Sequence, residues 1–173
     1  MVVKLGDRRP DTDDVVGALH DCHDRIRKML GLAERLATVV GAPLADIKDT
    51  AAQVRRYFVE AMPFHVADEH ELIVPRLIGK TGALDAALAQ LEREHEHHEP
   101  MIARLIALTG TIASAPDTLA THQGELALLV VDLRAALTAH LAHEEAAVFP
   151  AIRDLAADDQ IAIRAAMRAR RTK

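Results

Sequence analysis

Apolar residues recur at three- and four-residue intervals along most of this chain, and few stretches alternate with period two. The spacing predicts a first helix over about 12–40, with Val16, Leu19, Ile26, Leu30, Ala33 and Ala37 on one face and a gap in the stripe at position 23. Thr12 or Asp13 can cap it by accepting first-turn backbone N–H groups. A second helix is expected over about 46–78, with the stripe Ile47, Ala51, Val54, Phe58, Ala61, then His65, Glu69 and Leu72. A third follows over about 83–108, aligning Leu84, Leu88, Leu91, His95, His98, Ile102 and Leu105. The fourth starts near 117 and carries Leu126, Leu129, Val130, Leu133 and Leu137, then His140, Glu144 and Val148.

A short fifth helix over about 158–170 ends in arginines, which suit the negative pole of a helix C-terminus. Gly41 to Pro43, Gly79 to Gly82 and Gly110 to Pro116 read as connections. Pro63, Pro75, Pro100 and Pro150 lie inside or near helix ends, where each removes a backbone donor and can kink its helix. The expected fold is all-α: an antiparallel up-down four-helix bundle with a short C-terminal fifth helix. It is expected as one domain over 1–173, with a core of about 13–155.

The stripes repeat at an offset of 75 residues. His20 matches His95, His23 matches His98, His65 matches His140, Glu69 matches Glu144 and Pro75 matches Pro150. The second helix pair thus reads as a copy of the first. Matched apolar positions require only a core, whereas matched His and Glu positions require a chemical reason.

Composition narrows that reason. The net charge is −5, with 21 Lys+Arg against 26 Asp+Glu and no basic face beyond the tail at 164–173, so nucleic acid is not an expected partner. No uninterrupted apolar run approaches the ~18 residues of a membrane span, and MVVKLGDRRP lacks a signal-peptide apolar stretch. One cysteine, Cys22, excludes an internal disulfide and a Cys-pair zinc site. A cytoplasmic location without membrane partners is expected, and the oligomeric state is open.

The polar stripe positions contain His65-x3-Glu69 and His140-x3-Glu144. Residues four apart share a helix face about 6 Å apart along the axis. Both pairs continue apolar stripes, so their carboxylates point inward, where charge is costly without compensation. A metal cation supplies it. Position 23 fills the gap in the first stripe and His98 lies on the third. The expected metal ligands are therefore His23, His65, Glu69, His98, His140 and Glu144. His20 and His95, one turn earlier, read as extra ligands, orienting partners or pocket walls. Six donors exceed one tetrahedral zinc site and suit two metals about 3.5–4 Å apart. Imidazole and carboxylate without thiolate favour iron or manganese over copper(I). Asp68, His70, Glu71, His143 and Glu145 read as a solvated face or as groups orienting the ligands. Cys22 and Tyr57 read as packing, and His97 and His122 as surface.

These residues resemble the hemerythrin-like, or HHE cation-binding, family over about 13–152. The resemblance rests on His23-Asp-Arg-Ile, His65-x3-Glu69 running to Pro75, His98, and His140-x3-Glu144-Glu145 running to Phe149-Pro150. It implies a four-helix bundle holding two non-haem iron ions with a bridging oxo or hydroxo group. It also implies binding of dioxygen or a related small oxidant, peroxide or nitric oxide. The oxygen-carrying members have a second His where this chain has Ile102, and Asp five residues after the fourth-helix His, where it has Glu144 at four and Glu145 at five. The pattern is similar to the bacterial His, His-x3-Glu, His, His-x3-Glu subgroup. One fewer His implies an open position suited to peroxide- or nitric-oxide-reducing chemistry, unless His20 or His95 fills it. A binding or sensing protein is expected rather than an enzyme.

Two other classes are weighed against it. The ferritin-like oxidases use Glu-x-x-His on two helices; here Glu92-x-x-His95 and Glu94-x-x-His97 occur on the third helix only, and 75 residues earlier positions 17 and 19 are Gly and Leu. The alternative without turnover is an iron- or redox-sensing bundle, or a metal-stabilised interaction bundle.

Overall fold

The computed structural model describes residues 14–172, and among them no strand is found. Eight α-helical segments follow one another: α1 (Val15–Thr38), α2 (Leu44–Arg56), α3 (Met62–Asp68), α4 (Val74–Leu77), α5 (Gly82–Ser114), α6 (Leu119–Ala147), α7 (Phe149–Arg153) and α8 (Ala157–Arg170). The expected caps Thr12 and Asp13 lie outside the described residues. Asp14 caps α1, its side chain accepting from the Val16 N–H. Thr81 caps α5 by accepting from the Leu84 N–H at 3.1 Å.

The expected second helix is one continuous helical stretch, interrupted by two π-helical segments, Tyr57–Ala61 and Glu69–Ile73. Each ends two residues before a proline. The Met62 N–H donates to the Tyr57 carbonyl before Pro63, and the Val74 N–H to the Glu69 carbonyl before Pro75. The widened turn accommodates a ring that cannot donate to the ladder. It also corrects the stripe. Residues spaced by four drift about 40° per step around a 3.6-residue helix, and the π segments unwind that drift. The inward line through the two π segments is consequently Phe58, Met62, His65, Glu69, Ile73 and Leu77, all buried; the expected Ala61 and Leu72 are only half-buried.

Gly110 does not end the third helix. α5 runs on to Ser114, and a Cβ at Gly110 would lie 3.1 Å from Arg55 Nε. The glycine lies inside the helix beside the Arg55 side chain, not at a turn. Pro150 has no π segment before it; the chain breaks at Val148 between α6 and α7. The stretch Pro116–Ala147 is long and apolar enough to cross a membrane by length and composition, which the search for uninterrupted runs missed. In the fold its Leu126, Val130, Leu133 and Leu137 are buried in the core.

α1 packs on α2 and α6, and α5 packs on the same two. Two separate apolar clusters fill the interior. One gathers Ile26, Leu30, Val54, Phe58, Leu105, Leu126, Leu133 and Leu137; the other gathers Val15, Leu19, Ile73, Leu77, Leu88, Phe149 and Ile152. Each long stretch crosses from one cluster to the other, successive stretches cross in opposite senses, and the His and Glu positions fall where each crosses. α8 adds Ile163 and Met167 to the second cluster and lies against α1 and the Glu69–Ile73 turn. The arginines at its end do more than complement a helix dipole, since Arg170 and the following Arg171 reach the fully buried Asp68.

Leu133 is 0 % exposed in the first cluster. Leu133→Ala is expected to lower the unfolding free energy by about 2–5 kcal/mol, read by chemical denaturation, without loss of helicity in the folded state.

Candidate metal centre

Histidine and glutamate side chains meet in the slice between the two apolar clusters. His23, His65, Glu69, His98, His140 and Glu144 are each between 0 % and 5 % exposed. They come from α1, α3, the Glu69–Ile73 turn, α5 and α6. Ligand atoms of His23, His65, Glu69 and Glu144 lie within 4.8 Å of one another, a spacing that could hold a metal ion. A second such group joins Glu69, His95 and His140, so Glu69 belongs to both.

The first group is closely knit. His23 Nε2 lies 2.9 Å from Glu144 Oε2, and His65 Nε2 lies 2.9 Å from Glu69 Oε1. The His23 ring stacks on Phe149 at 5.3 Å, with the His65 ring edge-on at 5.2 Å. In the second group His95 Nε2 lies 3.0 Å from Glu69 Oε2 and 3.2 Å from His140 Nε2. His98 stands beside His140, ring centroids 5.2 Å apart, and is in neither group. The half-buried His95 thus enters the cluster that sequence reasoning assigned to His98. Its match to His20 at an offset of 75 was the signal available.

Two carboxylates orient the rings from behind. Glu145 Oε1 lies 2.7 Å from His23 Nδ1, and Glu94 Oε2 lies 2.8 Å from His140 Nδ1. A carboxylate on Nδ1 holds the proton there and turns the Nε2 lone pair inward, the usual arrangement behind a metal-bound imidazole. Glu145 matches the orienting role expected of it. Glu94 was noticed only within Glu94-x-x-His97, because nothing in a helical stripe signals a contact to another helix. Both carboxyls are held below the usual range: burial opposes this, but hydrogen bonds from His23 and Arg27 to Glu145, and from Gln90 and His140 to Glu94, outweigh it.

Other expectations change. Asp68 is no solvated group, because it is fully buried, with Arg171 Nη2 2.7 Å from one oxygen and Arg170 Nε 3.3 Å from the other. Cys22 is more than packing. Arg171 Nη2 approaches its sulfur at 3.7 Å, and burial, which would raise the thiol pKa, is outweighed by a hydrogen bond with His65 and nearby positive charge. His20 is partly exposed, 3.8 Å from Glu145. His97 is exposed as expected, and His122 is half-buried.

The donor set passes a chemical test for a cation. Glu144 Oε1 and the Nδ1 of His98 are buried without a hydrogen-bond partner among the described residues. Two carboxylates in a closed interior carry charge that apolar neighbours cannot screen. The interior nevertheless distributes charge unevenly. Burial pushes the His65 pKa down, but Glu69 beside it carries it well above the ordinary value. Burial would raise the Glu69 carboxyl, yet His65 and His95 hold it well below its ordinary value. His98 is pushed down to about 4 by burial and by the positive charge of His140 and His95.

A family model for the hemerythrin HHE cation-binding domain matches residues 14–152. No curated protein and no solved structure matches the chain.

The charge distribution fixes a pH profile for the chelated, metal-free protein. His98 is lowered to about 4 in the fold from an ordinary 6.5. The unfolded chain therefore protonates first, and stability falls as pH drops from 6.5 toward 4. His65 acts oppositely: its raised pKa contributes stability that is complete below 6.5 and lost as pH rises through its folded-state value. Glu69 contributes above 4.5 and loses that contribution only as pH falls through its lowered value. Thermal melts in chelator from pH 4 to 9 are expected to peak near 6.5, the ordinary histidine value. His98→Leu should flatten the acid limb and Glu69→Gln the alkaline limb.

Proposed function

The chain belongs to the hemerythrin HHE cation-binding family, and from that premise we propose that its interior holds two non-haem iron ions and binds dioxygen or a related small oxidant. In this reading the four long helical stretches form an antiparallel four-helix bundle, with α8 as a fifth helix. The alternating sense in which they cross between the two apolar clusters supports that arrangement.

The observation that carries the reading is the burial of Glu69 and Glu144 beside imidazoles, with Glu144 Oε1 left without a hydrogen-bond partner among the described residues. His23, His65, Glu69 and Glu144 would hold one ion; Glu69, His95 and His140 would hold the other, with His98 at hand beside His140. Such a pair of ions supplies electrons to, or reversibly binds, a small oxidant at neutral pH.

The chain's own residues then do three things. Glu145 and Glu94 keep the Nδ1 protons of His23 and His140 in place and aim Nε2 inward. Phe149 and the two apolar clusters exclude bulk water from above and below, which strengthens every charge interaction in the slice. Access is left to the side, where His98 and His95 line a groove of about 600 Å³ between α3 and α5. Its wall includes apolar Phe58, Met62 and Ile102, a lining compatible with a diatomic molecule or peroxide.

Protein from iron-replete growth is expected to contain about two irons per chain and to absorb in the near-ultraviolet. Colourless, iron-free protein would contradict the proposal. Glu144→Ala and Glu69→Ala should each cut iron content to below half. Glu94→Gln and Glu145→Gln should weaken metal affinity about 10–100-fold while leaving the metal-free helicity unchanged. Removing a cation held at a hundredfold excess over its Kd should lower stability by about 2.7 kcal/mol, measured as a fall in melting temperature on chelation.

A further inference from the structure

At the mouth of the lateral groove, a further cluster of donors shares His95 with the buried slice. His70 Nε2 lies 3.1 Å from His95 Nδ1 and 3.1 Å from Glu92 Oε2. Ligand atoms of these three residues all lie within 4.8 Å of one another. Glu92 is exposed and His70 partly exposed, whereas His95 is 11 % exposed. We propose that His70, Glu92 and the Nδ1 of His95 form an outer divalent-cation site, which captures the cation and passes it to the interior.

Three observations carry this. The first is spacing: two nitrogens bound at about 2.0–2.1 Å to one ion stand roughly 3.0–3.4 Å apart at the angles of common coordination geometries. The pair His70 Nε2 and His95 Nδ1 already stands at 3.1 Å. Two imidazoles and one carboxylate without thiolate suit divalent first-row metals, with water completing the shell on the open side. The second is charge. The same groove is lined by Glu92, Glu96 and Glu99, with Glu71 paired to Arg170, and its lining includes no lysine or arginine. A one-signed cleft raises the local concentration of cations. The third is continuity. His95 turns Nδ1 toward this outer cluster and Nε2 toward Glu69 and His140. Farther along the groove, His98 is buried, with its Nδ1 lacking a hydrogen-bond partner among the described residues.

The shared ring also sets the lifetime of the outer site. A neutral imidazole has one lone pair to give, because the other nitrogen carries the proton. While His95 binds outward through Nδ1, its Nε2 carries hydrogen and cannot bind inward. Once a cation is held at Nε2, the outer site loses a ligand and its grip. The outer site is therefore a place of passage and not a third resident ion. No oxidation or reduction is involved; a proton on the imidazole changes nitrogen as the ion moves.

The inference rests on the interior centre proposed above, and cobalt(II) uptake by chelated protein separates the two. Stopped-flow absorption of the wild type is expected to show fast capture followed by slower interior loading, ending with the interior filled. The double variant His70→Ala, Glu92→Gln should lose the fast phase and load the interior roughly tenfold more slowly, to the same final occupancy. Helicity and melting of its chelated form, equal to the wild type, certify the fold. Loading of the double variant at the wild-type rate overturns the outer site. If the interior reading fails instead, the wild type still takes up cobalt in a single fast phase and the double variant takes up none. Absence of any cobalt uptake by the wild type overturns both.

Discussion

Two carboxylates sealed inside an apolar helix assembly set the terms for everything around them. Glu69 and Glu144 cannot be stabilised by water, and an unpaired anion in that environment costs several kcal/mol or more. A positive charge must accompany them, whether a bound cation or a protonated imidazole. In the bare protein His65 takes that part, held protonated by Glu69 against the penalty of its own burial. His98 and His140 are driven toward the neutral form, which is also the form that donates a lone pair to a metal. The same set of residues is thus held together without metal and arranged for it.

That arrangement depends on backbone register more than on side-chain choice. The stretch from Leu44 to Leu77 places Phe58, Met62, His65, Glu69, Ile73 and Leu77 on one inward line, a line that a regular α-helix would wind away. Two π turns restore it, each placed just ahead of a proline. The prolines are therefore part of how His65 and Glu69 reach a common centre. In the second half of the chain Pro150 follows a simple break, and α6 holds its regular α-helical form as far as Ala147. The internal repeat is preserved in residue type and broken in backbone geometry.

This difference explains what could be read from the residues alone. Helical periodicity, the family resemblance and the inward face of the six His and Glu positions all follow from local spacing. All six are buried. What escaped depends on pairs of helices. Glu94 on α5 supports His140 on α6, and Arg170 at the end of α8 reaches Asp68 together with Arg171, the residue after it. None of these contacts leaves a periodic trace. Gly110 failed for the opposite reason: in sequence, a glycine inside a helix beside the Arg55 side chain resembles one that ends a helix. The register shift at Ala61 and Leu72 was hidden because the pattern was read against one fixed period.

The grip of Arg170 and Arg171 on Asp68 reaches beyond the helix that carries it. Asp68 is the immediate neighbour of Glu69, so α8 is fastened one peptide bond away from the shared carboxylate. Without the two guanidinium groups Asp68 would be an uncompensated anion in the interior, beside the turn that positions Glu69. A helix outside the four long stretches thereby serves as a buttress for the centre.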